Sequence, residues 1–182
     1  MGSAIFKYKE QVVLVLKDAA TGKVLMRHEC EPNIVTHVGD TYYAQRGAAS
    51  TPTYLFNAGM MVVAKSYARA ATKIASFRDF TGIATSLSGR QLFDSGYPKA
   101  NDSDTDNTGR TADAVTYKRT YTTAQANYTI RALGICRLNA TSNAASGSRV
   151  LLSYKTLSAA QTITKTSSQT LVAYVNHTFN GV

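Results

Sequence analysis

The chain has 182 residues and a formal net charge of +9, and its composition is 44% hydrophobic but only 17% charged. This balance excludes an intrinsically disordered chain, which combines low hydrophobicity with high charge. Hydroxyl side chains take the place of the missing charge, with 15 serines, 23 threonines and 11 tyrosines. Threonine and tyrosine favour the half-buried surface of a sheet and serine favours turns, so the composition predicts a β-rich globular protein.

The first predicted element is a β-hairpin. Residues 12–17 form a strand that contains the apolar run 12–16, residues 18–22 carry turn-forming side chains, and residues 23–28 form the returning strand. Pro32 ends this ladder, because proline has no amide proton to donate to a neighbouring strand.

Two short helices are predicted next. A helical period runs through residues 36–49 and again through residues 65–80. Between them, residues 54–56 and 60–63 have the length and composition of strand pieces.

The second predicted helix carries a row of basic side chains. Its members stand four residues apart, which places them on one helical face: Lys65, Arg69 and Lys73. A solvated face is the simplest interpretation of this row. The alternative is a docking surface for an acidic partner, where opposite charge sets the register of the interface.

Residues 81–113 are predicted to form a long loop, of the kind that is often functional or wraps a neighbour. Carboxylates recur in it at alternate positions and again at the twelfth: Asp102, Asp104, Asp106 and Asp113. This is close to the spacing of a calcium loop, but Asn107 replaces the glycine expected at the sixth position and a strand follows in place of a helix. We expect a solvated acidic loop with Asx turns, with a Ca²⁺ site as the alternative and no other cofactor.

Four strands are predicted after residue 113, at residues 115–121, 129–138, 149–154 and 171–179. In the last of them, alternation places five side chains on one side: Leu171, Ala173, Val175, His177 and Phe179. Short strands with turn-rich connections predict a mainly β fold, an antiparallel β-sandwich or barrel.

The sequence contains no linker and no internal repeat, so a single β-rich domain is expected over residues 1–182. We divide it into an N-terminal hairpin and arm, short helices and strands, the long loop, and the core β-sandwich strands. These parts span residues 1–35, 36–80, 81–113 and 114–182.

Catalytic motifs are absent from the sequence, and an enzyme is not expected. The three histidines, His28, His37 and His177, lie outside any nucleophile motif and are interpreted as structural or surface residues. Cys30 and Cys136 lack metal or redox spacing and are expected to be buried thiols. Basic residues are scattered and apolar runs are short, so neither nucleic acid nor a membrane is an expected partner.

Several stretches resemble segments of virion structural proteins from tailed bacteriophages. Asn33-Ile34-Val35-Thr36-His37-Val38-Gly39-Asp40 is similar to their N-x-V-T-x-x-G segment, which follows a hairpin and leads into a short helix. The strands of their C-terminal β module are similar to residues 115–122, 124–127, 130–135, 151–154 and 171–175. We call all of these stretches the resemblance segments. Two departures are Gly134-Ile135-Cys136, where an acidic residue is usual, and the extended helix at residues 65–80.

The resemblance implies a jelly-roll-like sandwich and, as the first choice, a capsid decoration (cement) protein. Such a protein would assemble in the bacterial host cytoplasm as a dimer or trimer, bind the outside of the major capsid protein shell and remain on the virion. The row formed by Lys65, Arg69 and Lys73 would then face an acidic capsid surface. The alternative is a tail fibre, baseplate or adaptor component involved in host attachment. A calcium-dependent enzyme or lectin built on the Asp102–Asp113 loop is a third hypothesis.

Overall fold

The computed structural model describes residues 7–30, 34–52, 56, 59–65, 89–108, 113–137 and 151–180. These residues form a mainly β structure with antiparallel sheets and one α-helix, α1, at His37–Gly47. The strands are β1 Lys7–Asp18, β2 Val24–Cys30, β3 Ile34–Val35, β4 Met60–Ala64, β5 Arg90–Leu92, β6 Lys99–Ala100, β7 Ala114–Tyr121, β8 Thr129–Ile130, β9 Ala132–Cys136, β10 Leu151–Thr156, β11 Ile163–Thr164 and β12 Gln169–Asn180.

The first sheet has five strands in the order β2-β1-β12-β7-β6, and every pair is antiparallel. Its two longest strands, β1 and β12, pair along their whole length. Leu171, Ala173 and Val175 of β12 belong to the main hydrophobic core, and His177 and Phe179 pack against Tyr43. The predicted alternation of β12 is therefore confirmed.

The second sheet also has five strands, in the order β3-β10-β9-β4-β5. Its Met61, Val63, Leu133 and Ile135 belong to the same core cluster as the inward side chains of β1 and β12. Two antiparallel sheets that share one core give the sandwich-like arrangement that was expected, while the jelly-roll order stays a prediction. A separate two-stranded ladder joins β8 and β11.

Both sheets also bury their outer faces. Val13, Val15, Val172 and Tyr174 form a second cluster on the outer side of the first sheet. A strand with one buried face alternates apolar and polar residues, whereas a strand buried on both faces reads as a continuous apolar run. The unbroken apolar stretch at residues 12–16 is of the second kind.

The predicted hairpin and first helix are confirmed, but two predicted elements need correction. The strand expected at residues 129–138 is divided at Arg131 into β8 and β9, which belong to different sheets. The backbone N–H of Arg131 donates to the carbonyl of Ala64 at 2.8 Å, and its carbonyl accepts from Leu157 at 2.9 Å. The loop expected at residues 81–113 contains β5 and β6.

Some predictions fall on residues that the structure does not describe. Only Lys65 of the predicted helix at residues 65–80 is described, and Pro32 is outside the described ranges. Of the strand piece at residues 54–56, only Phe56 is described, and it is buried outside any strand. Both cysteines are buried and form no disulfide within the described part of the chain, as expected. The described part of the chain includes no helix that is both long and apolar enough to cross a bilayer.

Candidate functional site

The N-terminus of helix α1 is hydrogen-bonded to strand β10. Thr36 is the N-cap, and its Oγ1 accepts from the N–H of Gly39 at 3.0 Å and donates to the carbonyl of Leu151 at 2.6 Å. The backbone N–H of Thr36 donates to the carbonyl of Leu152 at 3.0 Å. A Cβ on Gly39 would overlap that same Leu152 oxygen. The threonine and glycine of the T-x-x-G motif therefore serve one purpose, which is to join α1 closely to β10.

A register shift in β10 directs side chains of this strand into the core. Leu151 pairs with Cys136 and Ser153 with Ile135, so Leu152 is the extra residue. Such a bulge changes the direction of the side chains that follow it. Leu152 packs in the main core, and the buried hydroxyl of Ser153 lies 3.2 Å from Nε2 of His177.

His177 is the centre of a buried polar cluster. The hydroxyl of Tyr43 is in hydrogen-bond contact with its Nδ1, and that hydroxyl lies 3.2 Å from the hydroxyl of Tyr117. A neutral imidazole has one donor and one acceptor nitrogen, and hydroxyls can satisfy both. Burial lowers the pKa of His177 to about 3, so the ring is neutral at physiological pH.

The Ser153–His177 pair has the composition of a nucleophile and its base, but it is enclosed. The exposed fraction is 0% for Ser153 and 1% for His177. Nucleophilic catalysis requires a substrate atom to reach the nucleophile, and this conformation provides no access to it. In this conformation the cluster connects α1, β10 and β12 through the core.

Residues 101–108 lie across the outer face of the first sheet, and we call them the aspartate strap. Asp104 accepts from Lys118 Nζ at 2.6 Å and from the hydroxyl of Tyr174 at 2.8 Å. Asp106 forms ion pairs with Lys17 and Arg27. Through two carboxylates, the strap therefore contacts strands β7, β12, β1 and β2.

Two residues near the ends of the strap, Asp102 and Asn107, are buried. Asp102 accepts from the hydroxyl of Tyr97 at 2.8 Å and from Nδ2 of Asn107 at 3.1 Å. The side-chain amides of Asn107 and Asn176 exchange two hydrogen bonds of 2.8 and 2.9 Å. Buried amides need such partners, so this reciprocal pair fixes the position of the strap on β12.

The strap differs from the solvated acidic loop that the sequence predicts. Asx turns are present, because the N–H groups of Asp104 and Asp106 donate to the carboxylates of Asp102 and Asp104. However, Asp102 is only 5% exposed. Burial disfavours the ionised form of Asp104, but hydrogen bonds from Lys118 and Tyr174 outweigh it and hold the pKa of Asp104 below its ordinary value.

The fourth predicted carboxylate, Asp113, lies immediately before β7. It is exposed, and its carbonyl accepts from the N–H of Phe179 at 3.0 Å. Among the residues that the structure describes, no group of three or more acidic, histidine or cysteine side chains could hold a metal ion. The Ca²⁺ alternative stays a prediction, and it can be tested directly.

We expect Ca²⁺ at about 1 mM, where weak extracellular sites fill, to leave the melting temperature unchanged. Asp104 and Asp106 already bind lysine and arginine of the sheet, so an ion would have to displace these cations. A thermal-shift titration checks this, with Mg²⁺ at equal concentration as the control for ionic strength. A rise specific to Ca²⁺ would contradict the expectation, because a ligand that binds only the native state must stabilise it.

Among the described residues, strand β2 is one of the two edge strands of the first sheet. Three consecutive large apolar residues on it are exposed: Val24 by 41%, Leu25 by 48% and Met26 by 39%. Natural proteins normally protect such an edge with charge, proline or a covering segment. We call residues 24–30 the β2 edge and regard it as a candidate interaction surface.

The aspartate strap also holds the β2 edge in place. Arg27 Nη1 donates to the carbonyl of Asp106 at 2.6 Å, and the hydroxyl of Thr108 donates to the carboxylate of Glu29. Gln11 of β1 donates to the same carboxylate at 3.3 Å. A partner of this edge would therefore meet a strand that is already ordered.

The structure describes one member of the predicted basic row. Lys65 is exposed, and its Nζ lies 5.0 Å from the ring centroid of Tyr128. Its carbonyl accepts from Arg131 at 3.0 Å. Arg69 and Lys73 lie outside the described residues, so the row stays a prediction.

Sequence reasoning missed both the β2 edge and the polar cluster around His177. The signal for the edge was available, because residues 24–26 are three consecutive apolar residues in a strand that should alternate. The cluster had no such signal, since Tyr43, Ser153 and His177 come together only in the folded chain.

No protein-family model matches the chain, and no match was found to a curated protein or to a solved structure. The family suggested by the resemblance segments therefore enters below as a proposal.

Proposed function

We propose that the chain is a virion structural protein of a tailed bacteriophage. Within that class we propose a capsid decoration protein, which binds the outside of the major capsid shell and stabilises it. The proposal rests on the resemblance segments and on how they contact one another in the fold.

The observation that carries the proposal is that these segments form one connected unit. The T-x-x-G turn binds the carbonyls of Leu151 and Leu152, and β10 pairs with β9. Strand β7 pairs with β12, and Leu171 and Val175 of β12 share the main hydrophobic core with Leu152 of β10. Motifs that are distant in sequence but support each other physically are those of one structural module, and this supports the resemblance.

The charge distribution supports an acidic protein surface as the partner. The net charge is +9, and Asp104 and Asp106 are paired with cations of the chain's own sheet. Lys65 is exposed. Complementary charge increases association rates and sets the orientation of a complex.

Co-sedimentation with separated phage heads, tails and host cells tests the proposal. We expect saturable binding to heads, and we expect Lys65→Glu to weaken it by about threefold, the effect of one charge at the edge of an interface. Lys99→Glu is the matched control, because it makes the same change at another exposed lysine and should leave binding unchanged.

The triple variant Lys65→Glu/Arg69→Glu/Lys73→Glu should weaken head binding further, by about tenfold or more. Unchanged head occupancy would remove the basic row from the interface. Binding to tails or cells with bare heads would contradict the decoration role and support the attachment alternative.

A further inference from the structure

We propose that β2 pairs antiparallel with β2 of a second copy of this chain. The two-fold axis passes through His28, so that Arg27 of each copy lies opposite Glu29 of the other. The result is one continuous sheet across two chains.

The first argument is that the β2 edge is suited to strand pairing. β2 is the terminal strand of its sheet among the described residues, and residues 24–26 expose apolar side chains at it. A register shift does interrupt β2 near the hairpin turn. It leaves residues 26–30 in regular register with β1, and a regular strand of this kind can accept a further strand.

The charge pattern of β2 selects the register. Arg27 pairs with Val15 and Glu29 with Val13, so both charged side chains lie on the outer face of the sheet. With His28 on the axis, Arg27 of each copy lies directly opposite Glu29 of the other, which gives two pairs of opposite charge. With Arg27 or Glu29 on the axis, two like charges would be opposite, which is unfavourable.

Both charged groups keep the capacity for this contact. The guanidinium of Arg27 has five N–H donors, and its two hydrogen bonds to the aspartate strap come from Nη1. Its Nη2 lies 3.6 Å from a carboxylate oxygen of Asp106, an ion pair beyond hydrogen-bond distance, so donors remain for a further partner. The carboxylate of Glu29 has four lone-pair sites and accepts from Gln11 and Thr108. The strap therefore orients the two side chains without saturating them.

The inner face of the edge gives independent support. His28 pairs with Leu14 of β1, so Met26, His28 and Cys30 lie on the inner face. In the proposed register, His28 lies opposite the second copy's His28, and the exposed Met26 lies opposite Cys30. The pairing thus covers the exposed apolar side chain of Met26.

This inference goes beyond the proposed function, because the dimer would form in solution whether or not it binds phage heads. Light scattering coupled to size exclusion, at micromolar protein, should give about twice the 19.6 kDa of one chain. Met26→Lys should give a monomer with an unchanged circular dichroism spectrum, and Met26→Glu replaces it if that variant does not fold.

Leu92→Lys is the matched control. Leu92 is 52% exposed on β5, an edge strand of the second sheet, so the variant should stay dimeric. A monomeric wild-type protein would overturn the proposal, as would a folded Met26→Lys variant that is still dimeric.

Oxidative cross-linking tests the register. His28→Cys places two thiols directly opposite each other on the axis, at a separation that suits a disulfide, and should give a covalent dimer. Glu29→Cys places its thiol opposite Arg27 and should not cross-link. A covalent dimer from Glu29→Cys but not from His28→Cys would overturn the proposed register. The wild-type protein is the control for cross-links that form through the native Cys30 and Cys136.

Discussion

Gly39→Ala is expected to destabilise the protein by about 3 kcal/mol, at the upper end of the range for overpacked sites. The new Cβ would overlap the carbonyl oxygen of Leu152 and lie 2.6 Å from Cγ1 of Val35. Backbone cannot move aside as a flexible side chain can. The start of α1 must therefore shift away from β10, which also weakens the hydrogen bonds of Thr36 to that strand.

Urea unfolding followed by circular dichroism measures this effect, and Gly47→Ala is its control. Gly47 is the last residue of the same helix, and a Cβ there meets no atom within 4 Å. Alanine is the better helix former, so this variant should be neutral or stabilised by a few tenths of a kcal/mol, up to about 1 kcal/mol. A loss below about 1 kcal/mol for Gly39→Ala would show that α1 is not closely joined to β10.

Lowering the pH from 6.5 to 4.5 is expected to cost about 2 kcal/mol of stability through His177 alone. Burial holds its pKa at about 3 in the folded protein, against an ordinary value of 6.5. Below pH 6.5 the unfolded chain binds a proton that the folded chain does not. The stabilising contribution is therefore complete above pH 6.5 and is lost as the pH falls towards 3, by up to about 1.4 kcal/mol per pH unit.

His177→Gln isolates this contribution. Glutamine keeps one donor and one acceptor for the hydroxyls of Tyr43 and Ser153 but does not titrate. We expect the variant to be less stable at pH 7 and to lose less stability on acidification. Urea unfolding at several pH values between 6.5 and 4.5 compares the slopes, and equal slopes for both proteins would contradict the buried neutral histidine.

Local patterns in the sequence were enough to predict much of the fold. The unbroken apolar run at residues 12–16 and the alternation of residues 171–179 each identify a strand, because a short apolar run and a period of two are both typical of strands. Thr36 identifies the start of α1, since its side chain caps a free N–H group.

Features that depend on contacts between distant residues were not predictable. The aspartate strap looks like a solvated or ion-binding loop until Lys17, Arg27 and Lys118 are seen to face it. The division of the strand at Arg131 likewise follows from hydrogen bonds to Ala64 and Leu157, which no local pattern indicates. The same holds for the candidate site, because exposure of the β2 edge depends on which strands occupy the centre of the sheet.

Electron cryomicroscopy of phage heads incubated with the purified protein tests the central proposal most directly. A decoration protein should add density for a chain of 19.6 kDa at regularly repeated positions on the outer surface of the shell. Heads without added density, examined beside tails that have gained it, would contradict the account and assign the protein to the attachment apparatus.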